Sequence, residues 1–269
     1  MASGRIADKF KQLGDAGHMA FMPFVTAGDP NLKATKDTIR ELAVAGVDLI
    51  ELGFPYSDPI ADGPVIQASY TRALNQGIKV SEILGAVAEL HAEGIDMPPI
   101  VGMVSYAIVF RTGPEQFCRK AVEAGFSGLI IPDLPGDEAE ETAAVTKAAG
   151  LDLVQLVAPT TPPDRAERIV KTCSGFLYCV AVAGTTGVRA GLPTELTGQL
   201  KALREKTDLP FAVGFGISQP EHVDVLRGVA EGVIVGSAIV KLMQNEDSAA
   251  AVKQIGEFAR SMVRATHSS

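Results

Sequence analysis

The stretch "AVAGVDLIELG", Ala43 to Gly53, packs two signals together. Small helix-forming residues run into Gly46. A helix ends there, because glycine enters the left-handed C′ conformation at little cost. A run of leucine and β-branched residues follows, and then a loop, "FPYSDPIADGP", Phe54 to Pro64. The phrase returns as "AVEAGFSGLIIPDLP" from Ala121, "AAGLDLVQLVAPT" from Ala148 and "VAEGVIVGSA" from Val229. A chain that repeats helix, glycine, apolar run and loop is alternating helices with strands.

Working outward by the same rule gives eight apolar runs: Ala20–Val25, Leu49–Gly53, Ile100–Val104, Leu129–Ile131, Leu153–Val157, Phe176–Val182, Phe211–Gly214 and Gly232–Val235. They lack polar alternation, as strands buried on both faces do. Amphipathic helices are expected between them at Ala34–Ala45, Val80–His91, Glu115–Ala124, Asp164–Thr172, Glu195–Lys206 and His222–Arg227. Eight strand–helix units in about 250 residues is the arithmetic of an α/β fold, the TIM (β/α)8 barrel, here as one domain over residues 1–269. A doubly wound sheet is the alternative. It usually has fewer strands and often a dinucleotide fingerprint, which is not found after the first strand. Extra helices are expected at Ile6–Gln12, Pro64–Asn75 and Ala249–Arg264, with Thr266–Ser269 a loose tail.

Composition excludes several classes. The chain has 269 residues, 46% hydrophobic and 21% charged, with a formal net charge of −8. No block of Lys or Arg appears, so no nucleic-acid partner is expected. No apolar run reaches membrane-spanning length, and the charged stretch Met1–Asp15 has no signal-peptide core. Cys118, Cys173 and Cys179 form no CxxC and no metal spacing; they read as reduced thiols of a cytoplasmic protein.

A barrel carries its site at the C-terminal ends of its strands. Strand two ends in Glu51, with Asp58 and Asp62 in the long loop behind it. Strand three ends at Ser105 and Tyr106, strand four at Asp133, and strand six carries Tyr178 and runs into "AGTTG", Ala183 to Gly187. Strands seven and eight end in "GFGIS" (Gly214–Ser218) and "GSA" (Gly236–Ala238), each read as opening a helix. Glycines there let backbone N–H groups approach an anion, so a phosphate is expected, although tight turns would use the same residues. No Lys sits at an expected strand end for a Schiff base, and no His or carboxylate cluster for a metal. Glu51 stands inside an apolar run, where burial would raise its pKa towards that of a neutral-pH acid or base. The alternative is a Glu51 turned outward to pair with Lys or Arg. Asp62, before Gly63-Pro64, fits catalysis or a helix cap. Asp58 and Asp133 fit turns, and Tyr178 fits core or the wall of a flat aromatic pocket.

"IELGFPYSDPIADGP", from Ile50, resembles the signature of the tryptophan synthase alpha chain family. It matches at Glu51, Gly53, Pro55, Ser57, Asp58, Pro59, Asp62 and Gly63 together. "MPFVTAGDP", "GTTG", "GFGIS" and "GSAIVK" are similar in the same order, so the resemblance covers essentially the whole chain. It implies a TIM barrel that cleaves indole-3-glycerol phosphate to indole and glyceraldehyde 3-phosphate, with no cofactor of its own. It implies docking on a pyridoxal-phosphate beta chain in an alpha2beta2 assembly, to which indole passes through a tunnel. By the resemblance Glu51 is the acid–base residue and Asp62 handles the indole N–H. Phe24, Tyr178 and Ile234 would line the indole pocket. Gly187, Phe215, Gly216, Gly236 and Ser237 would hold the phosphate, and Thr186 would close over the site. The chain departs from the family at Thr185, where Val is commoner, and at "SYAIVF", Ser105 to Phe110, where a "YYNP"-like turn facing the partner is common. Two other readings are a sugar-phosphate epimerase or isomerase barrel, and a non-catalytic activating subunit. The Glu51–Asp62 pattern weighs against both.

Overall fold

A computed structural model describes residues 4–59, 62–180, 194–214, 216–244 and 247–268. The elements are α1 (Arg5–Asp15), β1 (Ala20–Thr26), α2 (Leu32–Val44), β2 (Ile50–Gly53), α3 (Pro64–Asn75), α4 (Val80–Ala92), β3 (Ile100–Met103), α5 (Tyr106–Thr112), α6 (Pro114–Ala124) and β4 (Gly128–Ile130). They continue as α7 (Ala139–Ala149), β5 (Asp152–Val157), α8 (Pro163–Thr172), β6 (Leu177–Val180), α9 (Thr194–Arg204), β7 (Phe211–Gly214), β8 (Gly232–Val235), α10 (Ser237–Leu242) and α11 (Ser248–Thr266). The eight strands are parallel and close in chain order, β8 pairing with β1. The expected TIM barrel is the fold.

The repeated phrase works as read in three of its four copies. Gly46, Gly125 and Gly150 take positive φ at the ends of α2, α6 and α7. In the fourth, Gly232 is the first residue of β8 and the left-handed turn falls earlier, at Gly228. Proline opens α3, α6 and α8, where its missing N–H costs nothing. Two expectations are corrected. His222–Arg227 is no amphipathic helix but part of two 3-10 turns, Pro220–His222 and Asp224–Leu226. Strand three, expected to run to Ser105 and Tyr106, ends at Met103, and Ser105 instead caps α5, its hydroxyl accepting the Ala107 N–H at 3.3 Å.

The core has two layers. Phe21, Leu52, Val87, Phe117, Leu129 and Ile255 pack between strands and helices. Met22, Leu49, Val101, Ile130, Val154, Phe176 and Ala212 fill the barrel interior. Ile6, Phe10 and Leu13 of α1 join the inner layer from below, with Phe10 and Phe176 ring centroids 5.7 Å apart. The N-terminal end is thereby stoppered with apolar side chains. Strand alternation then decides what faces inward at the other end. On β2 the inner positions are Glu51 and Gly53, in phase with Leu49 just before the strand, and Phe24 and Val101 are the register partners of Glu51. No helix among the described residues is long and apolar enough to cross a membrane.

Candidate active site

Glu51 is 1% exposed, and neither carboxylate oxygen has a hydrogen-bond partner among the described residues. No described Lys or Arg pairs with it, so the outward ion-pair alternative fails. Burial without compensation favours the neutral acid. Its pKa is pushed up to about 8, first by burial and then by the charge of Asp62. A carboxyl in that state carries a proton at neutral pH and can give it away.

Asp62 is half-buried on the approach to α3. It does not cap that helix. The N-cap is Gly63, and no side chain caps there. The Asp62 carboxylate instead accepts from the Tyr56 hydroxyl at 3.5 Å. Gln67 Nε2 ties the loop together, donating to the carbonyls of Asp62 at 2.8 Å and Pro59 at 3.1 Å. Burial pushes the Asp62 pKa up to about 6, opposed by the Tyr56 hydrogen bond. The two acids thus sit on opposite sides of neutrality, the strand one dry and the loop one polar.

The aromatic residues lie around them. Phe24 is buried on β1, and Tyr178 on β6 packs against the inner layer. A Cβ added at Gly214 would stand 3.0 Å from the Tyr178 hydroxyl, so the strand end is bare to admit that ring. Ile234, on β8 beside Gly214 and Met22, is buried among the inner residues. Gly236 is flanked by Phe24 and Ile66, which lie 3.6 and 3.3 Å from where its Cβ would be. Ser237 opens α10. Gly216 takes φ +61°, and nothing stands within 4 Å of its absent side chain, which leaves its backbone open. Two 3-10 turns, and no α-helix, follow β7, so "GFGIS" does not open the helix expected there. Thr186, Gly187 and Phe215, and Thr185 with them, lie outside the described residues.

Three features were missed in the sequence. Tyr56 and Tyr70 flank Asp62, their ring centroids 5.4 Å apart. Neither is singled out in the sequence; a Tyr about two turns beyond the acid, on α3, is the available signal. Asp133 does more than turn the chain. It accepts from Ser105 Oγ and the Tyr106 N–H, both at 2.7 Å, and so fastens the β4 loop to α5. Asp29, 3% exposed, is held by Arg72 of α3 through two bonds of 2.8 and 2.7 Å, which anchors that helix to the loop after β1.

Residues 10–267 match the family described as "Tryptophan synthase alpha chain". The chain belongs to that family. A tryptophan synthase alpha chain of Synechococcus sp. is 44% identical over 264 residues, covering 98% of this chain and 97% of the relative. That of Rhodopirellula baltica is also 44% identical, covering 95% and 96%. Among solved structures, the tryptophan synthase alpha chain of Legionella pneumophila superposes with a TM-score of 0.87 at 32% identity, covering 98% of each chain. A ligand-free tryptophan synthase of M. tuberculosis gives 0.85 at 30%, covering 97% and 100%. The chain is therefore a carbon–carbon lyase subunit of tryptophan biosynthesis. The family reaction is cleavage of indole-3-glycerol phosphate to indole and glyceraldehyde 3-phosphate.

Proposed function

We propose that Glu51 and Asp62 carry that cleavage by retro-aldol acid–base chemistry. The observation behind the reading is the buried, unpartnered Glu51 carboxyl on the inner face of β2, with Asp62 the second charge acting on it. Protonated Glu51 delivers its proton to the indole ring carbon that bears the glycerol chain. The ring nitrogen becomes cationic, and the ionised Asp62 offsets that charge. The Glu51 carboxylate then takes the proton of the hydroxyl beside the scissile bond. That oxygen becomes the aldehyde carbonyl, and the electron pair of the broken C–C bond returns to the ring. Glu51 ends protonated, ready for the next turnover.

Phe24, Tyr178 and Ile234 form the indole wall in this reading. Gly216, Gly236 and Ser237, with Gly187 and Phe215, hold the phosphate, and Thr186 closes over Asp62. The chain, residues 1–269, acts as one barrel domain in the cytoplasm. It docks on a tryptophan synthase beta chain in an alpha2beta2 assembly, and α5 stands at the loops that would face it. Indole release from indole-3-glycerol phosphate, measured with and without a beta chain, tests the reading. Glu51→Gln should lose nearly all turnover, about 10²–10⁴-fold. A variant within a few-fold of wild type would reject the role given to Glu51.

A further inference from the structure

Tyr70 is fully buried on α3, and its hydroxyl has no hydrogen-bond partner among the described residues. A phenol in that state is unusual, since buried hydroxyls are nearly always satisfied. Its surroundings are arranged to put it there. A Cβ at Gly53 would lie 2.5 Å from Phe24 Cζ and 2.7 Å from the Tyr70 oxygen. The bare glycine, two residues beyond Glu51 on the same inner face, is what lets this hydroxyl overhang the barrel mouth. Next to Tyr70, the Ser69 hydroxyl meets Thr26 of β1 at 2.7 Å and donates to the Ile66 carbonyl at 2.7 Å. With the Arg72–Asp29 pair two residues further on, the helix is pinned on both sides of Tyr70. The oxygen is therefore held on a rigid element, unlike Asp62 on its loop.

Two polar groups without a partner among the described residues, the Glu51 carboxyl and the Tyr70 hydroxyl, occupy one aromatic-walled site. Its residues lie within electrostatic reach of one another, for Tyr70 is influenced by Asp62, Tyr56, Glu51 and Tyr178 in turn. The proposed substrate has three parts. The indole offers a flat apolar face and one N–H, which Asp62 takes. The phosphate belongs at the strand-eight glycines. Only the glycerol chain between them carries oxygens in need of buried partners.

We propose, resting on the lyase reading above, that Tyr70 is a substrate-contacting residue whose hydroxyl donates to an oxygen of the glycerol chain. It keeps its proton throughout and fixes the chain against Glu51 while that residue moves protons. Burial holds the phenol well above its ordinary pKa, consistent with a donor that does not ionise.

Tyr70→Phe removes one oxygen and keeps the ring that packs on Phe24 and Tyr56. The kcat/KM for indole-3-glycerol phosphate should fall roughly 10- to 100-fold, between loss of one neutral hydrogen bond and loss of a preorganised donor. Titration calorimetry should show weaker binding of glyceraldehyde 3-phosphate, which carries the chain oxygens. An indolylpropyl phosphate, which has no hydroxyls, should bind as to wild type. The melting temperature should hold or rise, since an unsatisfied buried hydroxyl is lost. Unchanged affinity for glyceraldehyde 3-phosphate, an equal loss for the hydroxyl-free ligand, or a drop of several degrees in melting would each overturn the proposal. A wild-type chain that leaves indole-3-glycerol phosphate intact would reject the lyase reading alone, because the binding comparison stands without turnover.

Discussion

Glu51→Gln should make the protein more stable above neutral pH while making it inactive. The Glu51 carboxyl has a pKa near 4.5 in the unfolded chain and about 8 in the folded one. Its folded pKa is the higher, so the folded state binds the proton more tightly. The stability this gives is complete below pH 4.5 and is lost as pH rises towards 8. Through that window the loss is about 1.4 kcal/mol per pH unit. Between pH 5.5 and 7.5 wild type should lose roughly 2–3 kcal/mol through this group. The glutamine cannot ionise and should lose none of it. For a chain of this size that corresponds to roughly 5–10 °C of melting temperature. The assay is thermal or urea unfolding of both proteins at pH 5.5 and 7.5. The gap between them is the quantity to compare, because the other titrating groups are common to both and only those coupled to Glu51, Asp62 foremost, respond to its loss. The glutamine amide is itself buried, so its desolvation moves both pH values equally and drops out. A gap that stays constant across the two pH values would refute the reasoning. It would mean that Glu51 ionises in the folded state as readily as in water.

Activity should follow a bell in pH, with limbs near the values of Asp62 (about 6) and Glu51 (about 8). Below the first limb Asp62 gains a proton and loses its charge; above the second Glu51 has no proton to give. Asp62→Asn should lower kcat by about 10²–10³ and abolish the acid limb, read from pH–rate profiles of indole release. Ser237→Ala should weaken glycerol phosphate binding only by about the 0.5–1.5 kcal/mol of one hydrogen bond. Gly216→Val should be far worse, since it forces a branched side chain into φ +61° and over the open backbone; the reverse order by calorimetry would reject a backbone cradle. Gly53→Ala should cost activity by pushing the Phe24 ring and the Tyr70 oxygen apart, and a variant with wild-type kcat/KM would show that the bare strand end is dispensable.

The barrel was legible because its signals are local. Phe211–Gly214, Gly232–Val235 and Pro64–Asn75 stand in the structure as they read in the chain. An apolar strand and a proline-opened helix advertise themselves within a few residues. What failed was what depends on neighbours. Strand three reads as running to Ser105 and Tyr106, and only the Ser105 cap and the Asp133 clasp show that α5 starts there. His222–Arg227 has helical spacing, but the chain closes there in two 3-10 turns. The site divided in the same way. Glu51 was conspicuous, because a charge inside an apolar strand is a local anomaly. Asp62 was ambiguous, because an acid before Gly-Pro looks the same whether it caps a helix or faces a substrate. Tyr70 was invisible: the role proposed for it requires knowing that Gly53, seventeen positions earlier, leaves room above it.

The two acids also explain each other. Alone, a carboxyl in a dry barrel would simply be neutral, and one on a half-buried loop would be mostly ionised. Each raised value, about 8 and about 6, lies above the ordinary range, and the charge of Asp62 contributes to the height of Glu51. Ionising both would place two uncompensated charges in one apolar mouth. Between the two values the pair therefore holds a single proton and a single negative charge. The proton rests on the strand, where the rigid barrel can aim it. The charge rests on the loop, where a polar tyrosine and solvent can bear it. Cleavage of a bond to an aromatic ring needs that distribution, a proton donor at one atom and an anion beside the nitrogen that turns cationic. A site with both acids protonated would lack the anion, and one with both ionised would lack the proton. In the proposed mechanism, the chemistry follows from placing one carboxyl inside a strand and the other just outside it.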